Sequence, residues 1–358
     1  MFFIADMVQG LIYKIGEIDW EKVKGREIER ENNIRYVQVK ILSGSEIGNS
    51  CQFINCKLED RISIGNENEF GDRNKFGNRN KFGNRNKFGD LNEFRYENKF
   101  GYGNKFGYGN KFGNWNEFKY GNEFGDRNKF NDGNEFRYEN KFNDGNEFRY
   151  ENKFGNKNEF GDRNEFNNWN KFNNRNEFNN WNKFNDGNEF RYENKFNDGN
   201  EFGDGNKFRY GNEFGDGNEF NDGNELGNRN KFGNKNEFGN RNKFNNLNKF
   251  NSWNKFNNLN EFGNRNEFSY ENKFSDLNKF DYENKFGEGN KFGNRNKFSY
   301  GNKFSDLNEF DYENKFDYGN KFGYGNKFDR KVIFGEECTQ LIFDKKKGIY
   351  VPERLVSK

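Results

Sequence analysis

The sequence predicts an all-β protein, wound as a single-stranded β-solenoid with three six-residue phrases, about 18 residues, in each coil. Three observations carry this. One phrase, x-x-x-Asn-Lys/Glu-Phe, runs from Ile64 to Phe328 without insertion or deletion. Phe70 and Phe328 lie 258 residues apart, or 43 steps of six, so 44 hexads end in phase. Each ends in Phe except at Leu226, and the residue two before is Asn from Asn68 to Asn326. A fixed short period marks a solenoid, in which each repeat buries its apolar side chain only against its neighbours. Composition agrees: 33% of residues are charged, yet 20% are aromatic, and disordered chains are poor in aromatics. The only Pro, Pro352, follows the repeat, as suits a β-ladder.

The elements follow in order. Residues 1–46 mix apolar and charged segments, with partial strand-like alternation over Ile34–Leu42, and are expected to cap the first coil. Residues 47–69 form irregular first coils, because the spacing from Phe53 to Leu58 drops to five. Residues 70–328 form the array. Residues 329–358, with Leu341-Ile342-Phe343 and Ile349-Tyr350-Val351, form a second cap that shields the last open edge. The block Ser269–Lys285 reads much like Ser299–Lys315, displaced by 30 residues, so changes of length are tolerated.

With Phe as position one, positions five, six and the next one read Asn, Lys/Glu, Phe. Side chains alternate faces in a strand, so Asn and Phe point inward and Lys/Glu outward. Positions two to four, such as Gly-Asn-Arg and Asn-Asp-Gly, hold residues that tolerate φ > 0 and make corners. Each hexad is a short strand and a bend, and three close a triangular coil. An inward Asn needs partners. Stacked identical Asn side chains are expected to satisfy one another as an amide ladder.

The pattern resembles the hexapeptide-repeat left-handed β-helix family, whose unit is an aliphatic residue, often Gly, two variable residues, a small residue and one more. Ile47-Gly48-Asn49-Ser50-Cys51-Gln52, Ile64-Gly65-Asn66-Glu67-Asn68-Glu69 and Phe334-Gly335-Glu336-Glu337-Cys338-Thr339 match that form. The resemblance covers roughly residues 47–339 and implies a left-handed triangular coil. Phe replaces the family's aliphatic residue throughout the array. Cys51 and Cys338 fall in the small inward slot that Asn holds elsewhere.

Charge gives a test of coil size. At 18-residue spacing Glu135 stacks on Lys153, Lys141 on Glu159, Lys183 on Glu201 and Lys195 on Glu213, pairs that stabilise by about 0.2–1 kcal/mol each. A 12-residue coil stacks Glu135 on Glu147 and Lys141 on Lys153 instead. Against this, Glu147 and Glu165 are like-charged at 18, and some triplets alternate with a beat of 12. The balance favours three hexads.

Several function classes are disfavoured. Sixty basic and 58 acidic residues give a net charge of +2, so no global field selects nucleic acid or a membrane surface. No stretch approaches a transmembrane span. Met1–Asp6 lacks a basic n-region and a long apolar core, and three Cys cannot build a disulfide framework, so cytoplasmic residence is the default and a surface location stays open. Many proteins of the resembled family are acyltransferases that use a His base; this chain has no His. No enzyme, catalytic residue, metal or cofactor is expected. Asn-Asp-Gly-Asn-Glu phrases offer oxygens of the kind Ca²⁺ accepts but read as corners.

The residues singled out are aromatics. Within the repeat, Tyr occurs only at position three and Trp only at position four. Tyr96, Tyr102, Tyr108, Trp115, Tyr138, Trp169, Trp181 and Trp253 are the candidate contact ridge, and corner padding is the plainer alternative. The expected function is a non-enzymatic structural solenoid acting as rigid rod, scaffold or fibre-forming subunit, about 70 Å long at about 4.8 Å per coil. The alternative is a binding or adhesion module using exposed Tyr, Trp and Leu ridges. Partners are the chain itself, end to end or laterally, or else a glycan or protein.

Overall fold

A computed structural model describes residues 7–8, 11–15, 34–329, 331–345 and 349–355. The segment Met1–Asp6 lies outside the described residues. The chain divides into two compact units, Met1–Phe178 and Asn179–Lys358, built on one plan. Among the described residues there is no helix.

In the N-terminal unit the Lys/Glu-Phe pair of each hexad is a strand, with the charged residue outside and Phe buried, as in Glu93–Phe94 and Lys99–Phe100. Each strand pairs in parallel with the strand 18 residues away: Phe82 with Phe100, Phe76 with Phe94, Phe88 with Phe106. Three hexads therefore make a coil, and the 12-residue alternative is excluded. The coil has three faces, called here the first (Phe70, Phe88, Phe106), second (Phe76, Phe94, Phe112) and third (Phe82, Phe100, Phe118) by their phase in the sequence. The C-terminal unit repeats the plan, pairing Phe184 with Phe202, Phe190 with Phe208 and Phe196 with Phe214.

The core is a phenylalanine lattice. Along a face, rings stack: Phe94 and Phe112 lie 4.8 Å apart at 4°. Between faces they meet edge to face: Phe94 and Phe100 lie 5.3 Å apart at 80°. Both geometries suit the ring quadrupole, at about 0.5–1.5 kcal/mol per pair beyond burial. Parallel stacking gives each ring a partner one coil away, and the orthogonal contacts fill the centre of the coil. Phe thus fits where the resembled family has aliphatic residues.

The inner Asn ladder is present, but its main bonds run to the backbone. The amide N–H of Asn68 donates to Asn86 Oδ1, and that of Asn86 to Asn104 Oδ1, both at 2.9 Å. In many hexads Nδ2 donates to the carbonyl three residues earlier, as from Asn92 to Gly89 at 2.9 Å, whereas Nδ2 of Asn80, Asn86 and Asn98 is buried without a partner among the described residues. Amide-to-amide bonds join only some pairs, including Asn104 to Asn122 and Asn122 to Asn140, at 3.1 Å each. The side chain therefore secures an N–H that the bend takes out of the ladder. Cys51, Cys56 and Cys338 are buried free thiols. The amides of Cys51 and Cys56 donate to Asn68 and Asn74 Oδ1 at 2.8 and 2.7 Å, so both stand in this slot.

A second ladder lies outside, at position three. Asn66 Oδ1 accepts from the amide of Asn84 at 2.7 Å, and Asn84 Oδ1 from that of Tyr102 at 2.8 Å. Position two then needs room: a Cβ on Gly101 would lie 2.3 Å from Asn84 Oδ1. Within the array positive φ is confined to position four, as at Arg79 (58°) and Trp115 (58°), narrower than the three positions expected to share it. No residue of the array at position four is β-branched, the shape that left-handed backbone tolerates least.

The ends differ. Lys40 pairs with Lys57 and Ile47 with Ile64, offsets of 17, which is the effect of the five-residue spacing after Phe53. At the other end Thr339–Asp344 pairs in parallel with Lys321–Tyr324 and in antiparallel with Ile349–Arg354, making a closing hairpin.

Candidate contact surface

All eight candidate aromatics are exposed, from Tyr138 at 40% to Trp115 at 59%, but they do not share one line. In the N-terminal unit, Tyr102 and Tyr138 lie at the corner between third and first faces. Tyr96, Trp115 and Trp169 lie between second and third, and Tyr108 between first and second. In the C-terminal unit, Trp181 and Trp253 both fall between first and second, 72 residues apart, a distance of four coils.

The Trp residues lean on the coil that follows. A Cβ on Gly133 would lie 2.4 Å from Trp115 Cδ1, and one on Gly199 2.7 Å from Trp181 Cδ1. Glycine at these positions leaves the indole its space. Trp253 Nε1 donates to Glu271 Oε2 at 2.8 Å, and the Tyr150 and Trp169 rings meet at 6.3 Å. Trp115 also walls a recess of about 480 Å³ with Arg79, Lys81, Glu97 and Lys99. There the Arg79 guanidinium, 2.6 Å from Glu97, holds that carboxyl below its usual range.

Tyrosine forms the ordered surface. At the third-to-first corner, position three holds only Asn or Tyr in every coil from Asn66 to Tyr318. Eight of the fourteen repeat tyrosines are here: Tyr102, Tyr120, Tyr138, Tyr192, Tyr210, Tyr282, Tyr300 and Tyr318. In the N-terminal unit the Tyr102 and Tyr120 rings lie 6.0 Å apart, and Tyr120 and Tyr138 stack at 5.1 Å. In the C-terminal unit Tyr300 and Tyr318 stack at 5.5 Å and 5°. Reading position within the hexad alone hid this column, which shows only in steps of 18.

A Tyr at position three has no side-chain oxygen to catch the next amide. After Tyr102, Tyr120 and Tyr138 the chain straightens into four-residue strands, Glu117–Tyr120, Glu135–Tyr138 and Lys153–Asn156, with Tyr120 and Tyr138 in register. The next Asn, Asn156, resumes the outer ladder, accepting from the amide of Asn174 at 3.1 Å. Basic groups gather at this corner: Lys119 Nζ lies 5.8 Å from the Tyr102 ring, within cation–π reach.

The outward rows are mostly complementary. Lys99 meets Glu117 at 3.1 Å, Lys141 meets Glu159 at 3.1 Å and Lys183 meets Glu201 at 3.2 Å. Exposed pairs of this kind are worth about 0–1 kcal/mol each. Burial raises the carboxyls of Asp281 and Asp311, which sit at position two against the preceding coil. Among the described residues no cluster of three His, Cys, Asp or Glu is arranged to hold a metal, and no helix is long and apolar enough to cross a membrane. Comparison of the chain with family models, curated proteins and solved structures returns no match.

Proposed function

We propose that the protein is a non-enzymatic structural solenoid of the left-handed hexapeptide-repeat kind, a stiff spacer or scaffold that assembles with itself. The observation that supports this is redundancy between coils. Within each unit a coil is tied to the next by backbone pairing, stacked rings, the inner Asn ladder and the outer Asn/Asp ladder. Backbone pairing and the inner ladder lie on every face, and the outer ladder at each corner where position three is Asn or Asp, so bending or shearing one coil breaks several ties at once. The complete absence of His from the sequence removes the commonest general base and supports a role without catalysis.

Imaging of the purified protein by negative stain, with amide hydrogen exchange alongside, tests the proposal. Straight particles, array amides protected to a similar degree and filaments that lengthen with concentration are expected. A random-coil circular dichroism spectrum or unprotected array amides would overturn it.

A second reading, a contact module, is favoured by one observation: the concentration of exposed Tyr at a single corner. Tyr120→Ser with Tyr138→Ser should then remove binding of a captured glycan or protein without changing the melting temperature.

A further inference from the structure

We propose that the recess between the last full coil of the C-terminal unit and its closing hairpin binds an acidic oligosaccharide, a chain of sugar rings bearing carboxylates. The recess measures about 680 Å³, and its wall includes Lys303, Lys321, Arg354, Glu337, Leu341 and Pro352. That volume is in the range of small-ligand sites, about 300–1,000 Å³.

Charge is the first argument. Of the ten position-six residues from Lys273 to Lys327, nine are Lys and only Glu309 is acidic. Lys285, Lys303 and Lys321 stand in register on one face, and Lys279, Lys297 and Lys315 on the next. Like charges directly opposite are destabilising. Earlier in this unit opposite pairs such as Lys195 and Glu213 are interspersed with like pairs such as Glu201 and Glu219. Lys279, Lys285 and Lys291 are neutralised by Glu261, Glu267 and Glu309. Lys303, Lys321 and Arg354 have no acidic partner within 4.0 Å among the described residues. Three cations facing one recess, with Glu337 the only acid in its wall among the described residues, favour an anion.

The rest of the wall selects its class. Leu341 and Pro352 offer aliphatic surface for the C–H face of a sugar ring. Thr339 lines the recess, and the Tyr318 hydroxyl donates a hydrogen bond to Glu337, which raises the phenol pKa. A single-stranded nucleic acid would need open aromatic faces on which to stack bases. Among the described residues no Tyr or Trp lines the recess, and its two Phe, Phe304 and Phe322, are buried. This inference uses no part of the mechanical reading, and a failure of either leaves the other standing.

The test is fluorescence anisotropy of a labelled hexagalacturonate with the full chain at low ionic strength. The fully methyl-esterified hexamer and an oligothymidylate of equal charge serve as comparison probes. Binding of the acidic hexamer is expected, weakened about tenfold or more by Lys303→Glu with Lys321→Glu and similarly by Arg354→Glu, a change of about 1.4 kcal/mol or more. Lys273→Glu, on another face, should leave binding unchanged. If the charge-reversed chain melts early, Lys303→Gln with Lys321→Gln takes its place. Absence of binding, full binding by the double variant, or equal binding of the ester would overturn the proposal. Tighter binding of oligothymidylate would overturn it in favour of nucleic acid.

Discussion

The amide of Asn68 donates to the side-chain carbonyl of Asn86, 2.9 Å away in the following coil. Two residues before Asn68 the relation is reversed: the Asn66 side chain accepts from the amide of Asn84. Where position three is Asn, one residue type does two jobs in the hexad. The inner copy reaches back to the preceding coil and the outer copy reaches forward. Each coil is held from both directions, and neither bond is made until two coils are in place.

The inner slot is therefore costly to vacate. Asn146 Oδ1 accepts from the amide of Asn128 at 2.8 Å, and its Nδ2 donates to the Asn143 carbonyl at 2.9 Å. Asn146→Ala should destabilise by about 1–3 kcal/mol, the cost of leaving a buried N–H unmet. Chemical denaturation followed by circular dichroism measures this. An unchanged midpoint would show that water replaces the carboxamide.

The ring lattice makes opposite predictions at two sites. Phe136 stacks on Phe118 and Phe154 at 4.8 and 5.0 Å, and Phe136→Ala should cost about 3–5 kcal/mol. Leu226 interrupts a column between Phe208 and Phe244. Leu226→Phe should restore two stacks and raise stability by about 1–3 kcal/mol, seen as a higher melting temperature. A lower one would mean that the surrounding rings have closed in on the smaller side chain.

Position four carries a backbone cost that glycine relieves. Lys235 sits at φ 57°, a region that costs an L-residue about 1–2 kcal/mol. Lys235→Gly should be neutral to stabilising, and Lys235→Val clearly destabilising, in parallel melts.

Burial pushes the Cys56 and Cys338 thiols above their ordinary pKa. The unfolded chain ionises first as pH rises, so their contribution is complete below the unfolded thiol value, about 8.5, and is lost above it. The melting temperature should fall as pH rises past about 8.5, and Cys56→Ala with Cys338→Ala should flatten that slope. An identical slope would assign the loss to other groups.

The final strand pairs less readily along its open edge. The Leu355 amide donates to the Cys338 carbonyl at 2.8 Å, and Pro352 stands opposite Leu341. By antiparallel alternation, the Pro352 nitrogen faces away from its partner strand, on the open edge. An edge without that N–H is a poor template. Pro352→Val should raise concentration-dependent association above that of the unaltered chain in sedimentation velocity. Equal association would show that the flanking Glu353 and Arg354 suffice.

Much of this was legible in the residues. The alternation of Asn, Lys/Glu and Phe assigned inside and outside correctly, and Glu135 opposite Lys153 chose the coil size that the register confirms. Two features were not legible. Position five reads as an inward strand residue and position three as a corner residue, and only the backbone path shows that their side chains reach in opposite directions along the coil stack. The tyrosine column was hidden because a six-residue reading places all three corners in one class, whereas neighbours in space are 18 residues apart.

That arithmetic has an evolutionary edge. The copied block beginning at Ser269 recurs at Ser299 after 30 residues, a whole turn plus two hexads. Tyr270 and Tyr300, counterparts in the copy, consequently face different sides. Duplicating anything but a multiple of three phrases swivels every decoration downstream while sparing the interior. Slippage in the gene can thus redraw the outside of this protein in a single event, with no point mutation and no disturbance to what the interior requires.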